Sequence, residues 1–351
     1  MNLSGFTFIV TGDCNYHCSY CYQAKDKKYC DCSLMEKAVD FFSPYFNENC
    51  YVGFYGGEPL LAFEQTGRII DYIQEKKLSK KIRYSLTTNG SLLNEEILNF
   101  LERYKFSLIL SFDGLAQEIS RKRGSFAQIY ATLEKILERP GIDLEVNSVF
   151  TPDTVKYLSA SLKLIVDLRV QNVALSLSNI SPWHRKALLQ LSKELDLLKK
   201  IIAPVYKKTG AVPVVNFRKN SRKGVARCSA GDSRMALSPD GKLWGCCLFP
   251  DYFKGKEKTA DYHKYSFGDL DSFIANHEKI YREILPNYAE LRMDNYCVSG
   301  ELCLLCDDLE ECWLCPIDAA FSGESIGEIP PWLCETNQVL REAKRSFWEE
   351  F

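Results

Sequence analysis

Between Gly5 and Ser178 six short β-branched or aromatic runs alternate with five longer amphipathic ones, and a sixth amphipathic run follows from Arg185. GFTFIV, YVGFYGGEP, IRYSLTTNG, FSLILSFDG, DLEVNSVFT and VQNVALSLS read as strands. Between them, SLMEKAVDFFSPYF, FEQTGRIIDYIQEKKL, NEEILNFLERY, SFAQIYATLEKIL and VKYLSASLKLIVDL have helical spacing. Ser33 with Glu36 reads as a capping box, and Asn94 as the cap of the third helix. Parallel strands are joined only by long crossovers, so six such units predict an α/β fold, a parallel sheet with helices outside it. Sheets of this kind carry their chemistry at the carboxyl ends of the strands. CNYHCSYC, GGEP, TTNG and SFDG all fall there.

A long helical run from Arg185 to Gly210 leads away from these units, and beyond Arg227 the chain turns to short strands, turns and cysteines. The expected organisation is a strand–helix unit over 1–190, a bridging helical segment over 191–226, a cysteine-rich unit over 227–335 and a terminal helix over 336–351. At 351 residues the chain is long enough for two cores. Its net charge of -2 gives no reason to expect nucleic acid or an anionic membrane as partner. No export signal opens the sequence and no apolar run reaches the roughly 20 residues of a membrane span, so a cytoplasmic location is expected.

Fifteen cysteines are many for such a chain, and they are uneven: none falls between Tyr51 and Arg227. In a reducing compartment clustered cysteines hold metal or do redox chemistry more often than they form disulfides. Cys14, Cys18 and Cys21 are spaced C-x3-C-x2-C on the loop after the first strand. A structural zinc site closes four positions, whereas three thiolates suit a [4Fe–4S] cluster with one iron left open to a ligand. Cys30, Cys32 and Cys50 lack partners at ligand spacing and read as ordinary thiols.

This spacing, with Tyr20 just before the last cysteine, resembles the radical S-adenosylmethionine (SAM) superfamily. The resemblance implies a partial (β/α)6 barrel. It also implies reductive cleavage of SAM by the cluster, giving methionine and a 5′-deoxyadenosyl radical that abstracts hydrogen from substrate. Gly56, Gly57 and Glu58 in GGEP resemble the segment that meets the methionyl amino group; a glycine pair admits close backbone approach and a carboxylate accepts from an ammonium. Asn89 in TTNG, and Ser111 and Asp113 in SFDG, resemble later strand-end contacts to ribose or substrate. Asn147 and Ser148 follow at the next strand end. Arg121 or Arg123 is the expected partner of the SAM carboxylate.

Downstream, Cys228, Gly241 and Cys246, then Cys303, Cys306, Cys312 and Cys315, then Cys334, resemble the SPASM domain. Cys312 and Cys315 stand two residues apart where that pattern has three. YSFGDL precedes the second group, and Pro239–Asp240–Gly241 reads as a hairpin turn. The resemblance implies two auxiliary [4Fe–4S] clusters, for three in all. Cys303, Cys306, Cys312 and Cys334 would hold one; Cys228, Cys246 and Cys315 would give three ligands of the other, with Cys247, Cys297 or a substrate thiolate as the fourth. A zinc ribbon is the competing reading of the downstream group.

Enzymes of this type mostly modify peptides or proteins, so the expected reaction is oxidative modification of a peptide, such as a thioether or other crosslink in a ribosomally made peptide. Expected partners are that peptide, a separate leader-binding protein, and an electron donor such as flavodoxin or ferredoxin. Sulfatase maturases of this family take the substrate proton on an aspartate after the GX4C cysteine. Cys247 stands there, so formylglycine formation is the alternative, beside oxidation of a small molecule. A non-catalytic iron–sulfur protein is disfavoured by Glu58 beside the complete cysteine triad.

Overall fold

Phe6, Phe8 and Val10 leave β1 (Leu3–Thr11) toward the apolar core, while Gly5 and Thr7 leave its other face and line a cleft. These positions come from a computed structural model of the chain, which describes residues 1–79, 82–219, 224–322 and 325–351. The alternation repeats in β2 (Phe46–Gly56), with Val52 and Phe54 in the core and Tyr51 and Gly53 on the cleft. In β3 (Ile82–Thr88), Tyr84 and Leu86 oppose Ser85. One face of the sheet is therefore closed by helices, and the other is small and polar enough to leave a lumen.

The helices are α1 (Cys32–Phe42), α2 (Phe63–Glu75) and α3 (Glu95–Arg103). After β4 (Ser107–Ser111) come α4 (Gln117–Ser120) and α5 (Phe126–Leu137). Then follow β5 (Asp143–Phe150), α6 (Leu158–Asp167), β6 (Val173–Leu177) and α7 (Arg185–Thr209). β1 to β6 are parallel and adjacent in chain order, which is the expected six-unit architecture.

Asn94 caps α3 as expected, accepting from Ile97 N at 2.9 Å. The cap of α1 is a correction: Asp31, not Ser33, accepts from Ser33 N at 2.7 Å, and Glu36 is drawn away to Arg68 at 2.9 Å. An aspartate two residues upstream reaches the first free amide before the serine can.

The cysteine-rich region joins the same sheet. β7 (Arg234–Leu237) lies parallel to β1, from Gly5↔Arg234 to Phe8↔Leu237. β8 (Lys242–Trp244) and β9 (Ser266–Asp269) extend it antiparallel, giving nine strands. An open β1 edge would be a row of unpaired amides, and β7 covers it. The β7–β8 turn falls on Pro239–Asp240–Gly241, with Gly241 at φ 79 and its N–H donating to Ser238 O at 2.9 Å.

α7 runs to Gly210 in the left-handed conformation. Its charged face is mostly solvated, but Glu194 is buried and accepts from Ser159 N at 3.0 Å. The bridging segment over 191–226 includes 220–223, which lie outside the described residues. Beyond β8 come α8 (Phe249–Phe253), α9 (Ala260–Tyr265) and, after β9, α10 (Leu270–Ala289). A small hairpin, β10 (Cys297–Val298) with β11 (Glu301–Leu302), precedes α11 (Pro316–Ala320). α12 (Pro331–Glu349) starts well before Asn337, where the helical spacing begins, because a proline is suited to a first helical turn. Cys334 is thereby on a helix. No described helix is long and apolar enough to cross a membrane.

Candidate functional site

The loop after β1 is fastened to the end of β2 by its backbone. Gly57 N donates to Thr11 O at 2.9 Å and Glu58 N to Asp13 O at 2.8 Å. A Cβ on Gly56 would stand 2.1 Å from Thr11 O, and one on Gly57 2.2 Å from Asp13 O. The two glycines are thus required by the approach of the cysteine loop itself. Cys14, Cys18 and Cys21 open from that loop onto a cavity of about 340 Å³ at the carboxyl ends of the strands. Burial pushes the Cys14 thiol up, and the Cys18 thiol up to about 11 against the pull of Arg121. Metal loading must therefore expel protons.

Glu58 does not stand open to a ligand. It is fully buried, and its carboxylate accepts from Thr88 Oγ1 at 2.7 Å, Asn89 N at 2.8 Å and Leu60 N at 3.0 Å. Burial raises its pKa while these three donors oppose the rise. These bonds make Glu58 a clamp between the ends of β2 and β3, and about one acceptor site of the carboxylate is left over.

Asp113 is enclosed more completely. Oδ2 accepts from Tyr20 Oη at 2.8 Å and Ser120 Oγ at 2.9 Å; Oδ1 accepts from Arg121 Nη2 and Val149 N, both at 2.9 Å. Four donors occupy the carboxylate, and Asp113 holds Arg121 and Tyr20. Arg121 is buried and lines the cavity, whereas Arg123 is exposed. Arg121 Nε is buried with no partner among the described residues, as is the Ser178 hydroxyl, and both residues line the cavity.

Asn89, Ser111 and Asn147 also line it. Asn89 Nδ2 donates to Asn15 Oδ1 at 2.9 Å, and Asn147 Oδ1 accepts from Ser176 Oγ at 2.8 Å. Ser148 is a correction: it points to the helix side and donates to Phe112 O at 2.7 Å. Three thiols, a buried cation with an unpartnered N–H and a ring of amides and hydroxyls fit an iron–sulfur cluster with an anionic, polar ligand beside it.

The far wall comes from the cysteine-rich region: Leu248, Asp318 and Phe321. Phe321 stacks on Tyr22 at 4.6 Å, and the Tyr22 and Tyr55 hydroxyls meet at 2.7 Å. Burial pushes the Asp318 carboxyl up to about 6. Sequence reading passed over Tyr22, Tyr55, Ser178 and Asp318. Only Tyr22, next to Cys21, carried any signal.

The downstream cysteines fall into two neighbourhoods. Burial raises the Cys246 thiol most, and nearby Cys247, Cys315 and Cys228 raise it further. Burial pushes Cys303 up to about 11, with Cys312, Cys334, Cys306 and Cys297 adding to it. Of the two reserve candidates, Cys247 shares the surroundings of Cys246, and Cys297 those of Cys303. Cys30 and Cys50 are buried in the apolar core, and Cys32 opens α1.

Residues 8–165 match the family model of the radical SAM superfamily. The chain is similar to the radical SAM cyclopropyl synthase TigE of Paramaledivibacter caminithermalis, with 24% identity over 82% of this chain and 67% of the relative. It is also similar to the antilisterial bacteriocin subtilosin biosynthesis protein AlbA of Bacillus subtilis, with 25% identity over 85% of this chain and 65% of the relative. The chain thus spans about two thirds of each. The solved structure of native anSMEcpe with bound AdoMet and Cp18Cys peptide superposes with a TM-score of 0.74, at 19% identity, over 99% of this chain and 98% of that one. At that identity the likeness concerns the fold.

Proposed function

We propose that the chain cleaves SAM reductively and uses the resulting radical to oxidise a peptide, forming a thioether or other crosslink in a ribosomally made substrate. The observation that carries this reading is the shared cavity: Cys14, Cys18 and Cys21 open on one side of it, and Leu248, Asp318 and Phe321 on the other. A reactive carbon held there lies between the SAM end and the cysteine-rich region. The likeness to AlbA, a bacteriocin biosynthesis protein, and the peptide in the solved neighbour support a peptide as substrate.

Cys14, Cys18 and Cys21 would hold a [4Fe–4S] cluster, which together with SAM would supply the radical chemistry. The chain's own residues bind, orient and shield. Arg121 offers its cation and unpartnered Nε–H to the SAM carboxylate, held in place by Asp113. Asn89, Ser111 and Asn147 give the polar contacts along the strand ends. Burial at the cavity floor excludes water and stray hydrogen donors. In the same reading Cys303, Cys306, Cys312 and Cys334 would hold one auxiliary cluster. Cys228, Cys246 and Cys315 would hold the other, with Cys247, Cys297 or a substrate thiolate as fourth ligand. Such clusters would supply an acceptor for the electron that oxidation releases. A flavodoxin- or ferredoxin-like donor and a leader-binding protein are the partners this chemistry asks for.

Formylglycine formation is the second reading. Asp318 is the observation that keeps it, because a carboxyl opens on the cavity although Cys247 stands where maturases have their aspartate.

Anaerobic reconstitution tests the scheme. The expected result is about twelve irons per chain, rather than about four. Formation of 5′-deoxyadenosine from SAM on reduction, and loss of two hydrogens from a Cys-containing peptide by mass spectrometry, are also expected. Intact clusters without SAM cleavage would sink the enzymatic reading. Cleavage with no change in any peptide would remove the peptide.

A further inference from the structure

Cys303, Cys306, Cys312 and Cys334 share their surroundings with a buried cation. Arg341 Nη1 donates to Cys312 Sγ at 3.3 Å. The Arg341 side chain is 11% exposed, and its Nε–H is buried without a partner among the described residues. Arg341 lies on α12 seven residues beyond Cys334, two helical turns, so both stand on one face. Arg345 follows one turn later.

The two arginines do different things. Arg345 spends its fork on the loop between Cys306 and Cys312, reaching Asp308 Oδ1 at 2.6 Å and Glu311 Oε2 at 2.8 Å. Arg341 reaches the same loop once, at Asp308 Oδ2, 3.2 Å away. It keeps one N–H for a sulfur and one for no partner among the described residues. A buried donor without an acceptor is destabilising, and an adjacent anion would recover that loss. Four thiolates round an iron–sulfur core form such an anion, and its charge grows by one electron on reduction.

We infer that Arg341 is a positioning residue for the auxiliary cluster held by Cys303, Cys306, Cys312 and Cys334, and that its buried charge and sulfur hydrogen bond raise the reduction potential of that cluster. The inference rests on the auxiliary-cluster reading above. A nearby cation stabilises the reduced, more negative form over the oxidised one. Removing it therefore makes the cluster harder to reduce.

The test is an EPR-monitored redox titration of the holoprotein in a Cys14→Ala, Cys18→Ala, Cys21→Ala background, which leaves only the auxiliary couples. R341Q should move one couple to lower potential, cutting its reduced-to-oxidised ratio about tenfold at a fixed potential, about 59 mV for one electron. The other couple and the iron content should stay put. R341K, which keeps the charge, should recover part of the shift. R345Q, which loosens the same loop without touching sulfur, should leave both couples in place. An unmoved couple in R341Q with iron retained overturns the inference. So does an equal shift in R345Q, which would assign the effect to the loop clamp. If R341Q loses iron, R341K is read instead, and a wild-type potential or loss of iron there also overturns it. Failure of the underlying reading is seen separately, as a wild-type iron count that Cys303→Ala with Cys306→Ala does not lower.

Discussion

Tyr20 reaches from the cysteine loop and donates its hydroxyl to Asp113 Oδ2, just past the end of β4, at 2.8 Å. The aromatic in front of the last loop cysteine is thereby tied to the carboxylate that also holds Arg121 at 2.9 Å. Loop, cation and strand end form one buried unit, with Asp113 at its centre and wholly inaccessible to solvent.

Tyr20→Phe removes one of the four donors and leaves a buried carboxylate oxygen short. The expected loss is about 1–3 kcal/mol, read as a lower urea midpoint. Asp113→Asn leaves the Arg121 charge buried and unpaired, with an expected loss of about 3–5 kcal/mol. An Asn variant as stable as the Phe variant would mean that the Arg121–Asp113 pair does not carry the unit.

Gly57→Ala places a methyl 2.2 Å from Asp13 O, in backbone that cannot swing aside like a side chain. The cysteine loop must shift. Reconstituted protein should then lose the loop's iron, roughly four of roughly twelve atoms, while the downstream iron remains. Full iron with normal SAM binding would refute this account of the glycine.

The α1 cap separates two residues that sequence pattern alone confuses. Asp31→Ala should lower the urea midpoint, and Ser33→Ala should lower it clearly less. The reverse order would restore Ser33 as the cap.

Asp251 gives a pH signature. Burial pushes its carboxyl up to about 6 from 3.8, although Ala24 N–H donates to it. Because the folded pKa is raised, the stabilisation is complete below about pH 4, where both states are protonated. It falls as pH rises through about 6, leaving a cost on the order of 3 kcal/mol above that. Asp251→Asn should therefore match the native chain near pH 4 and be the more stable of the two at pH 8. Superimposable stability curves would show that the carboxyl is not strained by burial.

Much of this was legible in the chain because it is local. Period-two alternation with intervening amphipathic runs specified the parallel sheet, and GFTFIV, IRYSLTTNG and DLEVNSVFT lie within or across observed strands. C-x3-C-x2-C after the first strand specified which loop carries the chemistry. What the sequence did not carry was the surroundings of the two carboxylates. Glu58 and Asp113 look like ligand contacts in GGEP and SFDG because a carboxylate at a strand end is reactive by default, and only its neighbours can use it up. Those neighbours, Thr88 and Asn89 for one and Tyr20, Ser120, Arg121 and Val149 for the other, are mostly distant in sequence.

The sequence by itself determined the architecture of the first half, the cysteine loop and the two downstream cysteine groups, since strand period, helix period and ligand spacing are properties of short segments. Tertiary structure alone decided that β7 joins β1, that Cys297 stands with Cys303 and that Arg341 faces Cys312. It also decided that Asp318 opens on the same cavity as Cys14. All but the Cys297–Cys303 contact, which a local hairpin makes, join segments far apart along the chain, and burial, which sets the charge and the partners of such groups, exists only once those segments have packed.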